Sequence, residues 1–331
     1  MTMPAGEVID PASPEAATTT ADSAAPVIKG RSLGQIAWSR LRRDKVAMVG
    51  GIIIVILAVL AIFAPLICKL LGVDPYLFHS DLISALSMPN GKYGGISMAH
   101  PLGVEPVNGR DILARILYGA RVSLTIAFLA TLVGLIIGVV AGVTAGYFGG
   151  WIDTILSRLM DIIYAFPVLL FSIALLVIFS NIPALSGGFA RIGVLVFIIG
   201  FFGWPYIGRI IRGQVLSIRE KEYVEAARSL GAGSGRILFR ELLPNLIAPI
   251  LVYATLTMPA NILTEAAYSY LGVGVQPPTA SWGQMLSDAV NTFEIDPAFM
   301  IIPGLAIFIT VLSFNLFGDG LRDAFDPRGG R

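Results

Sequence analysis

VSLTIAFLATLVGLIIGVVAGVTAGYFGG, residues 122–150, contains no Asp, Glu, Lys, Arg or His. A helix rises about 1.5 Å per residue, so roughly 20 apolar residues cross a hydrocarbon core about 30 Å thick, and this stretch exceeds that length. Its apolar residues run on continuously instead of alternating with a period of two. Only helices and closed barrels satisfy the backbone in lipid, and the continuous pattern selects the helix. The chain belongs in a bilayer.

Other runs work outward from this one. Val46 to Cys68 precedes it, and Ile162 to Ser180, Ile192 to Gly208, Leu242 to Thr264 and Pro297 to Gly318 follow, which predicts an all-α polytopic membrane protein of six transmembrane helices. Hydrophobic residues make up 55% of the chain, charged ones 14%, and mean hydropathy is +0.78, outside the range of soluble globular domains. Lys and Arg collect in short cytoplasmic flanks. Arg40, Arg42, Arg43 and Lys45 precede the first run, and Arg209, Arg212, Arg219, Lys221, Arg228, Arg236 and Arg240 crowd the connection between the fourth and fifth. Gly272 to Asp296 has neither Lys nor Arg, whereas the tail carries Arg322, Arg328 and Arg331. The expectation is a multi-pass cell-membrane protein with both termini cytoplasmic. The first-to-second connection is mixed, with Lys92, Arg110 and Arg115 balanced by Asp74, Asp81, Glu105 and Asp111.

Residues 1–27 are rich in Ala, Pro, Thr and Ser, lack apolar periodicity, and read as a disordered cytoplasmic tail; no basic start precedes an apolar run, so this is not a signal peptide. Residues 28–45 alternate basic and apolar side chains, either as an amphipathic helix on the inner surface or as a plain positive flank. A first spanning unit over 46–71 leads to an extracytoplasmic segment over 72–118, long enough to be structured or functional. Within it, Gly109 to Gly119 puts Ile112, Leu113, Ile116 and Leu117 on one helical face and Arg110, Asp111 and Arg115 on another, the pattern of an interfacial helix. The core of five helices occupies 119–318, and a cytoplasmic tail 319–331.

Pro167, Pro205, Pro249 and Pro259 fall within the third, fourth and fifth runs, where proline bends or breaks helices. Cys68 is the only cysteine, which excludes an internal disulfide, and His79 and His100 form no Cys/His cluster for a metal. A net charge of +1 gives no case for a nucleic-acid partner. Asp161, near the inner end of the third run, and Glu265, near the outer end of the fifth, are too far apart for a shared-proton dyad, so no enzyme is expected. For Glu265 the choice lies between a structural hydrogen bond or helix-end role and contact with a transported solute.

Between the fourth and fifth runs, inside a loop over 216–245, lies the glycine-broken island EAARSLGAGSGRILFRELLPN, Glu225 to Asn245. Ser217 to Leu230 contains good helix formers and no Gly or Pro, Gly231 supplies the left-handed terminator, Ser234 can cap the next helical piece, and Pro244 marks re-entry into the membrane. The result is a helix-turn-helix elbow. Glu225, Ala226 and Ala227 place one charge beside two methyl-sized side chains, so another protein's backbone can come close while one ion pair fixes the register. The alternative is that Glu225 only pairs with Lys221 and Arg228 on its own helix, at about 0.2–0.5 kcal/mol each. Gly231 to Gly235 lacks the Lys-Ser/Thr ending of a phosphate loop, and no Walker A motif occurs in the chain. No cofactor is expected in this chain; any ATP chemistry would come from a separate polypeptide.

Glu225, Ala226, Ala227, Gly231, Leu243 and Pro244 fall in register with the EAA loop of ABC-importer permeases, with Glu241 where that pattern has an aliphatic residue. His100-Pro101-Leu102-Gly103, Gly109-Arg110-Asp111-Ile112-Leu113 and Tyr118-Gly119-Ala120-Arg121-Val122-Ser123-Leu124 resemble the segment before the second span of dipeptide and oligopeptide permeases of the DppC/OppC kind, except that Val104-Glu105 replace Thr-Asp. Glu265 to Pro278 with Ser281-Trp282-Gly283, and Asp319 to Arg328, are similar to two further blocks of that group. The resemblance implies a type I ABC importer permease fold with a cytoplasmic EAA coupling helix. It also implies partners: a homologous second permease (DppB/OppB-like), two ABC ATPases (DppD/DppF-like), an extracytoplasmic substrate-binding protein and a peptide substrate. Arg110, Asp111, Gln276 and Trp282 are the implied docking or outer-gate residues. The same group also moves nickel chelates and other small solutes; a stand-alone ion-coupled transporter is the rival from another class, and would show mid-membrane charge pairs or an inverted repeat.

Overall fold

The structure, a computed structural model, describes residues 33–91, 94–185 and 187–326. The tail expected over 1–27, the start of the 28–45 segment, Lys92, Arg328 and Arg331 lie outside the described residues. The described elements are α1 (Leu33–Leu41), α2 (Lys45–Leu71), α3 (Ile112–Phe148), α4 (Gly150–Ala165), α5 (Val168–Ser180), α6 (Gly188–Ile218), α7 (Glu222–Ser229), α8 (Ser234–Arg236), α9 (Leu243–Tyr270), α10 (Trp282–Ala289) and α11 (Pro297–Phe325). A π-helical stretch, Ile237–Leu242, joins α8 to α9. Among the described residues α2, α3, α6, α11 and the continuous 234–270 helix are each long and apolar enough to cross a bilayer. The protein is an all-α, multi-pass membrane protein.

The centre of the fold is the contact between α3 and α6. Gly134, Gly138, Gly142 and Gly146 recur every fourth residue, which places them on one face of α3. A methyl group added at Gly138 would stand 2.9 Å from the Trp204 carbonyl oxygen, and one at Gly142 would stand 2.5 Å from that of Gly208. From the other side, a methyl at Gly200 would meet Val133 Cβ at 2.7 Å. The absence of side chains lets the two backbones approach until dispersion contacts and weak Cα–H···O bonds form, the means of helix association in lipid.

This seam also sets the topology. Gly134 lies on Gly200, Gly142 on Gly208 and Gly146 on Val215, so α3 and α6 run parallel. The chain leaves α3 at one end and enters α6 from the other, which obliges α4 and α5 to carry it back. The third run, expected as one helix over Ile162 to Ser180, is therefore a crossing but not a straight one. Its halves belong to α4 and α5, bent by 82°. Pro167 has no N–H to donate and its ring excludes helical geometry from the preceding residue; Phe166 accordingly is extended, at φ −75° and ψ 142°.

Three other boundaries differ from expectation. The interfacial helix expected over Gly109 to Gly119 is not a separate surface element. It forms the first turns of α3, and Arg110, Asp111 and Arg115 are buried, because partners distant in sequence take up their charge. The fourth span continues past Gly208 to Ile218, since Arg209 and Arg212 pair with Asp161 and Asp153 on α4. The expected tail from residue 319 begins as helix and extends α11 to Phe325; Gly320 lies flat against Ala47 of α2, and Ala324 packs with Ala37 and Leu41 of α1.

Gly142→Val should lower the melting temperature of the purified chain in detergent, since overpacking costs about 1–3 kcal/mol and backbone cannot move aside as a side chain can. Gly213→Ala, at a position with no atom within 4 Å of the added methyl, should leave it unchanged.

Candidate functional site

The elbow is α7, the turn after it and the start of the 234–270 helix. Helix α6 ends at Ile218, so the single helix expected over Ser217 to Leu230 is broken at residues 219–221 and restarts at Glu222. Gly231 ends α7 in the left-handed region, at φ +81°. Ala232 N–H donates to Ala227 O and Gly231 N–H to Arg228 O, both at 3.0 Å, the paired closure of a Schellman motif. Ser234 does not cap; Gly233 holds the N-cap position without a side-chain bond. Pro244 lies two residues after the π stretch inside the continuous 234–270 helix, where its missing N–H removes one bond from the backbone ladder. The distinction between break and continuation at Pro244 is therefore not a change of chain direction but a change of helical winding, from π to α.

One side chain holds α7 down. Val224 is fully buried in a cluster with Ile211 and Val215 of α6, Ile237 and Leu242 of the π stretch and Leu246 of α9. The opposite face is bare. Glu225 and Ala226 are exposed and Ala227 is half-buried, while Leu230 is 89% exposed and Phe239 72%. Among the described residues Glu225 forms no ion pair, so the local pairing with Lys221 or Arg228 is not made. Leu243 is half-buried at the base of the elbow.

The opposite end of the molecule is a closed polar lock. Glu105 lies between Arg110 and Arg115: Arg110 Nε donates to Oε1, and Arg115 Nε stands 2.9 Å from Oε2 but off the hydrogen-bond axis, an electrostatic contact. Arg115 Nη2 donates to Gln284 Oε1 at 2.6 Å, and Gln284 in turn donates to Asp288. Burial pushes the Glu105 carboxyl above the usual carboxylate range, opposed by the Arg115 and Arg110 guanidiniums. Asp111 caps α3, accepting from Ala114 N–H at 2.7 Å, and its other oxygen lies 2.8 Å from His100 Nδ1. Trp282, at the start of α10, lies over Gly119 and donates its indole N–H to Ile116 O at 3.1 Å. Beneath it, fully buried Glu265 accepts from Ser123 at 2.9 Å and Ser269 at 2.7 Å, the structural role expected of it.

Of the four residues expected at an outer docking surface, Arg110, Asp111 and Trp282 are thus buried inside the lock, and only Gln276 reaches the surface; its amide donates to Gly272 O. Glu105, Gln284 and Asp288 complete the lock and were not singled out by sequence reasoning, because Arg115 and Gln284 are 169 positions apart. A cavity of about 640 Å³ opens between α2, α3 and α9, with Arg121 the only charged side chain among its lining residues.

Residues 134–330 match the family model described as binding-protein-dependent transport system inner membrane component, and residues 32–81 match the N-terminal TM domain of oligopeptide transport permease C. The chain is 40% identical to the dipeptide transport system permease protein DppC of Alkalihalophilus pseudofirmus, over 88% of this chain and 89% of the relative. It is 39% identical to the glutathione transport system permease protein GsiD of Pectobacterium atrosepticum, over 92% and 95%. Among solved structures it is similar to an inward-facing MetNI methionine ABC transporter chain, with a TM-score of 0.52, 20% identity, and coverage of 64% of this chain and 97% of that one. The fold is that of an ABC importer permease.

Removing one partner from a buried pair leaves an uncompensated charge, at a cost of about 3–5 kcal/mol. Glu105→Leu should therefore depress the melting temperature strongly, and the double variant Glu105→Leu/Arg115→Met should recover part of the loss.

Proposed function

The chain belongs to the binding-protein-dependent transport system inner-membrane component family, and on that premise we propose that it is one of two permease subunits in an ATP-driven importer of di- or oligopeptides. It carries no catalytic site of its own in this reading. Two ATPase subunits bind ATP and Mg, a homologous second permease completes the translocation path, and an extracytoplasmic binding protein delivers the solute. The relatives named for dipeptide and for glutathione, itself a short peptide, favour a peptide over a nickel chelate as the cargo.

The observation that carries the proposal is the exposed face of α7. Glu225 and Ala226 are exposed, Glu225 forms no ion pair among the described residues, and the nearby elbow residues Leu230 and Phe239 are exposed apolar side chains. A short helix anchored through one buried valine and bare on its other face suits a groove in an ATPase. Because Val224 packs against both α6 and α9, a displacement of α7 is passed to two spans together. With this end cytoplasmic, both termini are inside, and the lock around Glu105 and Trp282 faces the binding protein, with Gln276 at its rim.

In vesicles holding the complete assembly, ATP should drive dipeptide uptake after ion gradients are collapsed. Glu225→Lys and Gly231→Val, in assemblies that still form, should each reduce uptake at least tenfold, since a reversed charge at a desolvated pair costs several kcal/mol. Undiminished uptake in both variants, or uptake that needs an ion gradient, would sink the coupling role. A thiol reagent reaching Arg228→Cys only from outside intact cells would overturn the orientation.

A further inference from the structure

Helices α4, α6 and α9 present a patch that the elbow and the lock do not use. Arg209 Nη2 donates to Asp161 Oδ1 at 2.8 Å, and the Arg209 guanidinium lies over the Tyr164 ring, 4.7 Å from its centroid. Tyr206 stands one turn before Arg209 and meets Tyr253 of α9 edge-on, ring centroids 6.4 Å apart. The pair is not buried: the Arg209 side chain is 52% exposed and that of Asp161 53%.

Its depth makes that exposure unusual. Gly208, next to Arg209, rests against Gly138 of α3. Gly142 packs on Gly208 and Arg212 as well, so Arg209 lies level with the turn between Gly138 and Gly142, about 10 Å inside the end of α3 at Phe148 along the helix axis. An ionised pair at such depth, half open to its surroundings, is expensive against hydrocarbon and persists where it faces water or protein. It also lies on the α4 limb of the α4–α5 bend, the one crossing whose helix is interrupted.

We propose that Asp161, Arg209, Tyr206 and Tyr253 form a recognition site for a zwitterionic solute on the wall of the translocation path, the guanidinium taking the solute's carboxylate and the Asp161 carboxylate its ammonium group. This rests on the importer reading and names the chemistry by which that importer would handle its cargo. Arg158 Nη1 also stands 3.8 Å from Asp161 Oδ2, so the cluster carries one net positive charge and offers a solute carboxylate a surplus of guanidinium. The guanidinium fork matches a carboxylate in two parallel hydrogen bonds. The phenol rings supply broad apolar contact that does not discriminate between side chains, as a path for varied peptides needs.

The test uses the assembled transporter in vesicles with dialanine and its C-terminal amide. The wild type should take up dialanine in preference to the amide, and Arg209→Gln should cut that preference about tenfold, the worth of one charge-assisted pair. Asp161→Asn should do the same for dialanine against its N-acetyl derivative. Equal loss of both members of each pair would show a merely structural ion pair and overturn the proposal. Independently of transport, Arg209→Cys in a Cys68→Ser background should react with a membrane-impermeant methanethiosulfonate applied from the α7 side, and dialanine should slow the reaction. An unreactive thiol would mean that lipid or the partner permease covers the patch, and would overturn the proposal too. If the wild-type assembly moves no peptide while the thiol is reactive and protected by dialanine, the importer reading fails and the zwitterion site stands.

Discussion

The backbone-to-backbone approach of α3 and α6 is the constraint on which the rest depends. Lipid tails are as apolar as leucine, so burial of apolar side chains gives helices little reason to associate there. Contact must come from shape. Four glycines in register on α3 and Gly200 and Gly208 on α6 make two flat surfaces, and the methyl-scale clearances between them leave a single register. That register is parallel, so the intervening α4–α5 crossing and its bend follow from the seam together with Pro167. The same closeness puts Arg212 where it can grip Asp153 and Arg219 where it can donate to Gly146 O at 2.8 Å.

Against this pair α9 is pinned by isolated polar contacts. Helix α9 is tied to α3 by Asn261 to Thr131 at 2.8 Å and by Ser123 to Glu265. Each is a single contact, but in a low-dielectric surrounding a satisfied polar group is strongly preferred to an orphan, so a few such bonds select one arrangement. Near the lock end, α10 repeats the logic in a smaller space: Gly283 lies against the Ala266 backbone and Trp282 against Gly119, which wedges a short helix between α3, α9 and α11.

The spans were legible in the sequence because hydropathy over about twenty residues is a property of each segment alone. The 122–150 run lies almost wholly in α3, and the first run within α2. Span ends were less legible, because a charged residue ends a span by composition yet continues the helix when a tertiary partner neutralises it. Arg115, Arg209 and Arg212 all do so. The bend at Phe166 was readable as a proline effect, though not the parallel register that makes it necessary. For the site, the motif around Glu225 and Gly231 was readable as an elbow, including its left-handed turn. The lock was not: five buried polar residues from two segments far apart in the chain have no local signature, and Arg110 and Arg115 read as a solvated helix face until Glu105 and Gln284 are placed beside them.

The elbow and the seam are parts of one mechanical unit. On the proposed coupling, a push on α7 would enter through Val224, whose neighbours Ile211 and Val215 lie one turn apart on α6 and themselves meet Gly142 and Gly146 of α3. Because that face sets glycine backbone against the backbone and the stiff β-branched side chains Ile207, Ile211 and Val215, sliding α6 along α3 would break contacts throughout the seam. On that coupling, a load at α7 would turn α3, α6 and α9 together instead of shearing them past one another. The compliant points are elsewhere, at the break between α6 and α7 and at the α4–α5 bend. Asp161 precedes the bend at Phe166 by five residues, so the interruption in the one crooked crossing sits close to the exposed charge pair that links α4 to α6.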